Sequence, residues 1–456
     1  MNKHKLLLAG FLMGTFGVAQ ASDSLQSTVD QRIAGDRSGV CLVASTVAET
    51  IEHAGTCANP DRNRALDADS RFEIGSISKA LQGLLVASLV ESGEIDLNKP
   101  LRDVLPSSVA VPGDENDPIR LVHLLTHSSG LPRLPVGFVP SDISNPYADL
   151  DATQLLDLLD GAEVSAAPGT AFAYSNFGPM LLSYALVVET GEPLHTLFRS
   201  RVFEPLGMDD TSLGGAVIQG HDAAGQPVSH WDFAYNLGGV GAIRSTPADM
   251  ARWLQAVIEP ESTPMADALK RSQEELINAG GQRVGYGWLH IPLSDRFILV
   301  HDGGTGGFSS FAAIDLQQAK ASLVLMDTSM LLQNSLADLA VHLIEPSSPL
   351  RSPQVPQVAA AGEVLSDYVG RFALFQGEEQ FMGDFVIEFS EDRGELLLQA
   401  TVNGQTQPQI PLASEGEGRF TINDLGLAVE FVRDDDGSVN GLDFQQGPLN
   451  LRGERL

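Results

Sequence analysis

One octapeptide constrains this chain more than any other feature: Phe72-Glu73-Ile74-Gly75-Ser76-Ile77-Ser78-Lys79. A long helical pattern starts near Ser76, runs to Glu91 and stops at Ser92-Gly93. Ser76 therefore sits where a loop passes into a helix. Lys79, three positions on, shares the same face of the first turn, so its amine reaches the Ser76 hydroxyl. The helix start sets backbone N–H groups and partial positive charge beside that hydroxyl. This favours a developing alkoxide and lowers the pKa of Lys79. Serine becomes a nucleophile when an adjacent base takes its proton, and a desolvated lysine serves as such a base. The plainer reading is a capping serine beside a surface lysine. Lysine is scarce here: beyond residue 21 the chain has only Lys79, Lys99, Lys270 and Lys320.

The 456 residues carry 28 Lys+Arg against 59 Asp+Glu, a net charge of −31. Nucleic acid is disfavoured as a partner, because phosphate binding needs clustered cations. An anionic membrane surface is disfavoured for the same reason. Apolar residues make up 43%, ample for a packed core, and the length suggests two or three domains, or one large domain with an appendage. Residues 1–21 read as a secretory signal peptide: Lys3 and Lys5, an apolar run over 6–18, then Ala19-Gln20-Ala21 as a cleavage site. The run is too short for a membrane anchor, so an exported protein, periplasmic or secreted, is expected. Removing two lysines takes the charge to −31 − 2 = −33. Export permits a disulfide. Cys41 and Cys57 lie in strand-like text on either side of a turn near Glu49, where a hairpin would set them opposite each other. A cross-strand disulfide is expected, with two buried free thiols as the alternative.

The clearest boundary is proline-rich, from Glu345-Pro346-Ser347-Ser348-Pro349 through Pro353 and Pro356. The expected organisation is a signal peptide (1–21), a large mixed domain (22–345), a linker (346–361) and a C-terminal domain (362–456). In the large domain, helices are expected at 153–159, 180–189, 248–258 and 335–344. Ser245-Thr246, Pro247 and Asp249 form a good start signal for the third. Strand-like runs fall at 297–301, 309–314 and 322–326. Strands at both ends with helices between predict one sheet built from the two ends of the domain, plus a helical insert. The C-terminal part reads as short strands at 385–389, 396–400, 409–413, 419–422, 428–432, 439–444 and 449–452, which predict an antiparallel barrel or sandwich. No chemical constellation appears in it.

The octapeptide resembles the active-site signature of class C β-lactamases and related serine penicillin-recognising hydrolases. Two further elements follow in the family's order. Tyr174-Ser175-Asn176, after Pro168-Gly169-Thr170 and before a helix, is similar to the Tyr-x-Asn element. His301-Asp302-Gly303-Gly304-Thr305-Gly306-Gly307-Phe308 is similar to the Lys/His-x-Gly element. The stretches His123-Leu124-Leu125-Thr126-His127-Ser128-Ser129-Gly130-Leu131 and Leu237-Gly238-Gly239-Val240 through Asp249-Met250 also match, so the resemblance spans about residues 38–343 in collinear order. It implies an α+β fold: an antiparallel sheet flanked by helices beside an all-helical lobe, with the C-terminal part as an appended, lipocalin-like β-barrel.

The resemblance also implies roles. Ser76 is the nucleophile and Lys79 its base or proton shuttle. Tyr174 shares the acid/base work, and Asn176 orients Lys79 and the substrate amide. The N–H groups of Ser76 and Gly304 form the oxyanion hole, and His301 and Gly303 line the substrate. No metal or organic cofactor is implied. Two departures bear on the substrate. His301 stands where these β-lactamases usually have lysine, as in related D-alanyl-D-alanine peptidases and esterases. Asp302 replaces a small hydroxyl residue, and facing the pocket it would repel a substrate carboxylate. Strand alternation makes 301 and 302 point oppositely without saying which points in.

Competing constellations are weaker. His123 and His127 are spaced i, i+4 as two metal ligands on one helix face would be, yet no third ligand is evident; a structural role near the pocket is the expectation. The Gly303–Gly307 run lacks the Lys-Ser/Thr of a phosphate cradle, and no Gly-x-Ser-x-Gly elbow occurs. The leading expectation is an exported serine hydrolase that forms an acyl-enzyme on Ser76 and hydrolyses β-lactams. The alternatives are a D-alanyl-D-alanine or D-amino-acid peptidase, a carboxylesterase, and a catalytically silent penicillin-binding sensor.

Overall fold

A computed structural model describes residues 24–34, 40–58, 66–142, 144–222, 225–329, 336–350 and 364–456, the last apart from short turns at 378, 381–384, 393, 403–404, 407–408, 423–426, 435 and 447–448. The expected signal peptide and most of the expected linker lie outside the described residues.

Among the described residues eleven strands precede the C-terminal part: β1 (Cys41–Val47), β2 (Ile51–Cys57), β3 (Phe72–Glu73), β4 (Ser212–Leu213), β5 (Ile243–Ser245), β6 (Glu275–Ala279), β7 (Gln282–Gly285), β8 (Leu289–Leu293), β9 (Arg296–Gly304), β10 (Ser309–Asp315) and β11 (Lys320–Met326). Eight of them form an antiparallel sheet in the order β2-β1-β11-β10-β9-β8-β7-β6, and β3-β5-β4 make a small second sheet. The pairing of β1 with β11 joins the two ends of this region, as the strand–helix–strand pattern predicts. Cys41 faces Cys57 in the β1–β2 hairpin, and a disulfide joins them with Cα atoms 4.0 Å apart.

Among the described residues ten helices accompany the strands: α1 (Leu25–Ile33), α2 (Ser78–Glu91), α3 (Leu121–Leu125), α4 (Ala152–Asp160), α5 (Phe177–Thr190), α6 (Leu194–Phe198), α7 (Glu204–Leu206), α8 (Pro247–Ile258), α9 (Ala266–Ser272) and α10 (Ala337–Ile344). The sheet is buried on both faces because its strands alternate. Val43, Leu323 and Leu325 join the core that contains α2, α5 and α8, while Leu42, Val324 and Met326 pack with α1 and α10 on the other side. Helix α2 is apolar around nearly its whole circumference, with residues Ser78 to Ala87 all buried. It runs through the middle of the body and holds the octapeptide at its start. Helix α8 begins as expected: the Thr246 hydroxyl accepts from the Asp249 N–H, and Pro247 occupies the first turn. Among the described residues, no helix is long and apolar enough to cross a membrane.

In the C-terminal part eight antiparallel strands close a barrel: Gly370–Gln376, Val386–Asp392, Glu395–Val402, Ile410–Gly416, Arg419–Ile422, Leu427–Arg433, Val439–Gln446 and Leu449–Arg455. The first strand closes it by pairing with the last, Phe372 opposite Arg455 and Leu374 opposite Gly453. Sequence reading finds the other seven and misses this one, because Phe372-Ala373-Leu374-Phe375 is a continuous apolar run without alternation. The barrel has its own core. Phe431 packs against Tyr368, Phe372, Phe389 and Phe420 with ring centroids 4.7–5.8 Å apart.

Candidate active site

The turn Gly75–Ile77 is a single 3-10 turn that leads directly into α2. Gly75 has φ +51°, and a Cβ there would lie 2.5 Å from the Gly304 nitrogen. A Cβ at Gly303 would lie 2.2 Å from the Ile74 carbonyl oxygen and 3.0 Å from the Ser76 nitrogen. Both glycines are needed for the end of β9 to lie against the turn, since a side chain at either would collide with backbone. This approach packs the backbone around Ser76 against that of Gly303 and Gly304. The Ser310 hydroxyl locks the contact by donating to the Ile74 carbonyl at 2.9 Å.

Lys79 points back across the first turn. Its Nζ donates to Ser76 Oγ at 2.8 Å and to the Val240 carbonyl at 2.8 Å. The residue is 2% exposed. Burial pulls its pKa down to about 7; Asp302 opposes the shift and Arg133 adds to it. The lysine therefore gives up its proton far more readily than a free amine. The Val240 carbonyl comes from the 3-10 segment Tyr235–Val240. Sequence reading includes this stretch but not its contact, because any residue supplies a carbonyl. The glycines before it were the available signal: a Cβ at Gly239 would lie 2.5 Å from Gln82 Nε2 of α2.

The Tyr174 phenol lies beside the Ser76 side chain, which holds its pKa down, but burial is the larger effect and pushes it well above its usual value, so it stays protonated. Lys79 Nζ lies 5.1 Å from the Tyr174 ring centroid. His127 stacks on that ring at 4.4 Å, with φ 55°. Its Nδ1 accepts from the Ser175 N–H at 3.2 Å, and burial lowers its pKa strongly. His123 turns elsewhere: its Nδ1 accepts the Arg120 N–H at the start of α3. The two histidines are separately engaged, and His127 packs on Tyr174 and holds the Ser175 N–H, in line with the expected structural role near the pocket.

His301 is 1% exposed. Its Nδ1 lies 2.6 Å from the Asp302 carbonyl. A carbonyl only accepts, so Nδ1 carries the proton. Burial lowers the ring's pKa, which leaves it neutral with Nε2 as a free acceptor. Asp302 is exposed, on the opposite side of the strand from His301. Its charge still raises the pKa values of Lys79, His301 and Tyr174. It therefore stands at the rim of the site, turned to solvent but electrically part of it.

The structure brings Ser76, Lys79, Tyr174, His301, Gly303 and Gly304 together. Asn176 is arranged differently from the expectation that it orients Lys79. Its Nδ2 donates to the Tyr147 hydroxyl at 3.0 Å, and its Oδ1 is buried without a hydrogen-bond partner. Tyr147 belongs to an aromatic wall with Phe138, Trp231 and Phe233, which sequence reading did not find.

A serine hydroxyl bonded to a buried lysine of lowered pKa, with a protonated tyrosine beside it, is the equipment of a serine hydrolase. The β-lactamase family profile matches residues 25–340, and the chain belongs to that family of serine hydrolases. It is 28% identical over 330 residues to the D-alanyl-D-alanine-carboxypeptidase/endopeptidase AmpH of Escherichia coli K12, across 68% of this chain and 85% of that protein. It is 22% identical over 446 residues to penicillin-binding protein 4* of Bacillus subtilis strain 168, across 90% of this chain and 93% of that one. Among solved structures it is similar to a β-lactamase/D-alanine carboxypeptidase from Yersinia pestis complexed with citrate, with a TM-score of 0.60 and 27% identity over 70% of this chain and 97% of that one.

Proposed function

We propose that this protein is an exported acyl-transfer hydrolase that forms an acyl-enzyme on Ser76 and hydrolyses β-lactams. The observation that carries the proposal is the 2.8 Å hydrogen bond between Ser76 Oγ and a buried Lys79 whose pKa is near 7. Neutral Lys79 takes the Ser76 proton as the oxygen attacks the carbonyl. The oxyanion forms against the N–H groups of Ser76 and Gly304. Tyr174, held protonated, delivers a proton to the leaving nitrogen, and His301, with Nε2 free, faces the same space. Water then attacks the acyl-enzyme with the same groups in reversed roles. Export is supported by the pattern of residues 1–21 and by the Cys41–Cys57 disulfide.

A second reading is D-alanyl peptidase activity. It is favoured by histidine at 301, where the class C enzymes usually have lysine, and by the similarity to AmpH. One experiment separates the two. The purified protein is incubated with a penicillin and a cephalosporin while product and intact mass are followed. Rapid ring opening with little retained adduct supports the β-lactamase reading. A lasting adduct that is lost in Ser76→Ala supports the peptidase reading. Absence of both adduct and product, with no hydrolysis of D-alanyl peptides or simple esters, defeats the acyl-enzyme proposal.

A further inference from the structure

Arg133 stands out among the cations of this molecule. In a chain with 59 acidic and 28 basic residues, most described arginines pair with carboxylates: Arg32 with Asp338, Arg244 with Glu73, Arg296 with Asp315. Arg133 is exposed, and among the described residues no carboxylate pairs with it. Its guanidinium instead lies 5.3 Å from the centroid of the Tyr174 ring. Its backbone is fixed there, because its carbonyl accepts the N–H groups of Asn176 at 2.8 Å and Phe177 at 3.3 Å. The neighbouring Pro132 carbonyl accepts the Ser175 hydroxyl at 2.8 Å. The start of α5 thus holds both the Tyr174 ring and the cation stacked on it. On the strand side of the same site stands Asp302, exposed and negative. The mouth is therefore divided into a positive flank at Tyr174 and a negative flank at the end of β9.

We propose that Arg133 is a specificity residue that reads an anionic group on the leaving half of the substrate, while Asp302 turns that anion away from the strand. This rests on the acyl-enzyme reading above. If Tyr174 protonates the leaving atom, the leaving group passes beside the Tyr174 hydroxyl, and the next charged group it meets is the guanidinium stacked on that ring. A planar guanidinium matches a carboxylate through two parallel N–H···O bonds. The leaving nitrogen of a β-lactam, which stays tethered to the acyl group, and that of the D-alanine released from a D-alanyl peptide both have a carboxylate close by. Both proposed substrate classes therefore present the anion where Arg133 waits, whereas a simple neutral ester does not.

The test uses three phenylacetate esters with one acyl group and leaving phenols bearing a 3-carboxylate, a 3-carboxamide or a 3-trimethylammonium group. The readout is the ratio of kcat/KM for the anionic over the neutral ester. In Arg133→Gln this ratio is expected to fall at least tenfold, and Arg133→Lys is expected to recover part of it. In Asp302→Asn the ratio is expected to rise several-fold. A ratio unchanged within twofold in Arg133→Gln overturns the proposal. So does an equal loss for the anionic and cationic esters, which would mean that Arg133 merely props Tyr174. Failure of the parent reading looks different: none of the three esters would be hydrolysed in a Ser76-dependent way.

Discussion

The body and the barrel bury different things. Around Ser76 the body encloses Lys79, His127, His301 and Glu73, whose pKa values burial displaces. It also leaves polar atoms such as Asn176 Oδ1 and Trp231 Nε1 buried without partners. The barrel interior is filled by Phe372, Phe389, Phe420, Phe431 and their aliphatic neighbours. Burying an ionisable group costs free energy, and protein interiors keep such groups where chemistry uses them. The body thus gives up stability to poise a few protons, while the barrel uses its interior for packing. If this contrast is right, substitutions in the two regions should fail in different currencies.

Ser76→Ala tests one side. If Ser76 is the nucleophile proposed, its removal should lower turnover by about 10³-fold or more and leave the fold untouched. Intact-mass analysis should show no adduct, and the melting curve should match the wild type. A retained adduct would place the nucleophile elsewhere. Phe431→Ala tests the other side. The ring touches four aromatic neighbours, so its loss should cost about 3–5 kcal/mol of barrel stability. Acyl-enzyme formation at low temperature should persist. If Phe431→Ala abolished acylation in protein that stays folded, barrel and site would be one functional unit and the contrast would break.

The disulfide sharpens the comparison within the body. Cys41 and Cys57 are 16 residues apart in sequence and close the β1–β2 hairpin. The chain-entropy model gives about 3 kcal/mol for a loop of this length. Replacing both cysteines with serine should destabilise the body by about that much, lowering its melting transition, and leave the barrel's transition in place. A shift in the barrel's transition alone would show that thermal unfolding does not separate the two regions.

The parts of the site legible in the sequence are those set by local spacing. Ser76 and Lys79 meet because three residues in a helical turn bring them together, whereas the close approach of Gly303 to the turn at Gly75 shows only in the structure. The cap at Thr246 is legible for the same reason. What was not legible depends on partners distant in sequence. The Val240 carbonyl that receives Lys79 leaves no mark in residue type. Asn176 binds Tyr147 because the loop carrying Tyr147 folds over the start of α5, and nothing near Asn176 announces that. Arg133 becomes notable only once its guanidinium is seen on Tyr174 with no acid beside it. In the fold, β6, β7 and β8 were missed because they are short, with few fully buried residues to set a period. The barrel's closing strand was missed for the opposite reason: an unbroken apolar run carries no period of two.

The finest test joins the two currencies in one residue. Lys79 has a folded pKa near 7, against 10.5 for a free lysine. Between these values the unfolded chain binds a proton that the folded chain does not, so stability rises with pH across this window. Below pH 7 both states are protonated, and the full cost of burying the ammonium is present. Lys79→Met removes that cost and keeps an unbranched chain of similar size. It should therefore stabilise the body at pH 6, on the order of 2 kcal/mol after discounting for the lost bonds to Ser76 and Val240. The gain should shrink as pH rises through 7 toward 10. Wild-type acylation should move in the same direction, increasing as Lys79 loses its proton near pH 7, because only the neutral amine can accept from Ser76. Both curves come from one titration series, thermal melts beside acylation rates from pH 5 to 9. A Lys79→Met protein less stable than wild type at pH 6 would mean that the lysine's two hydrogen bonds outweigh its burial, and the body would then be stabilised, not strained, by its own base.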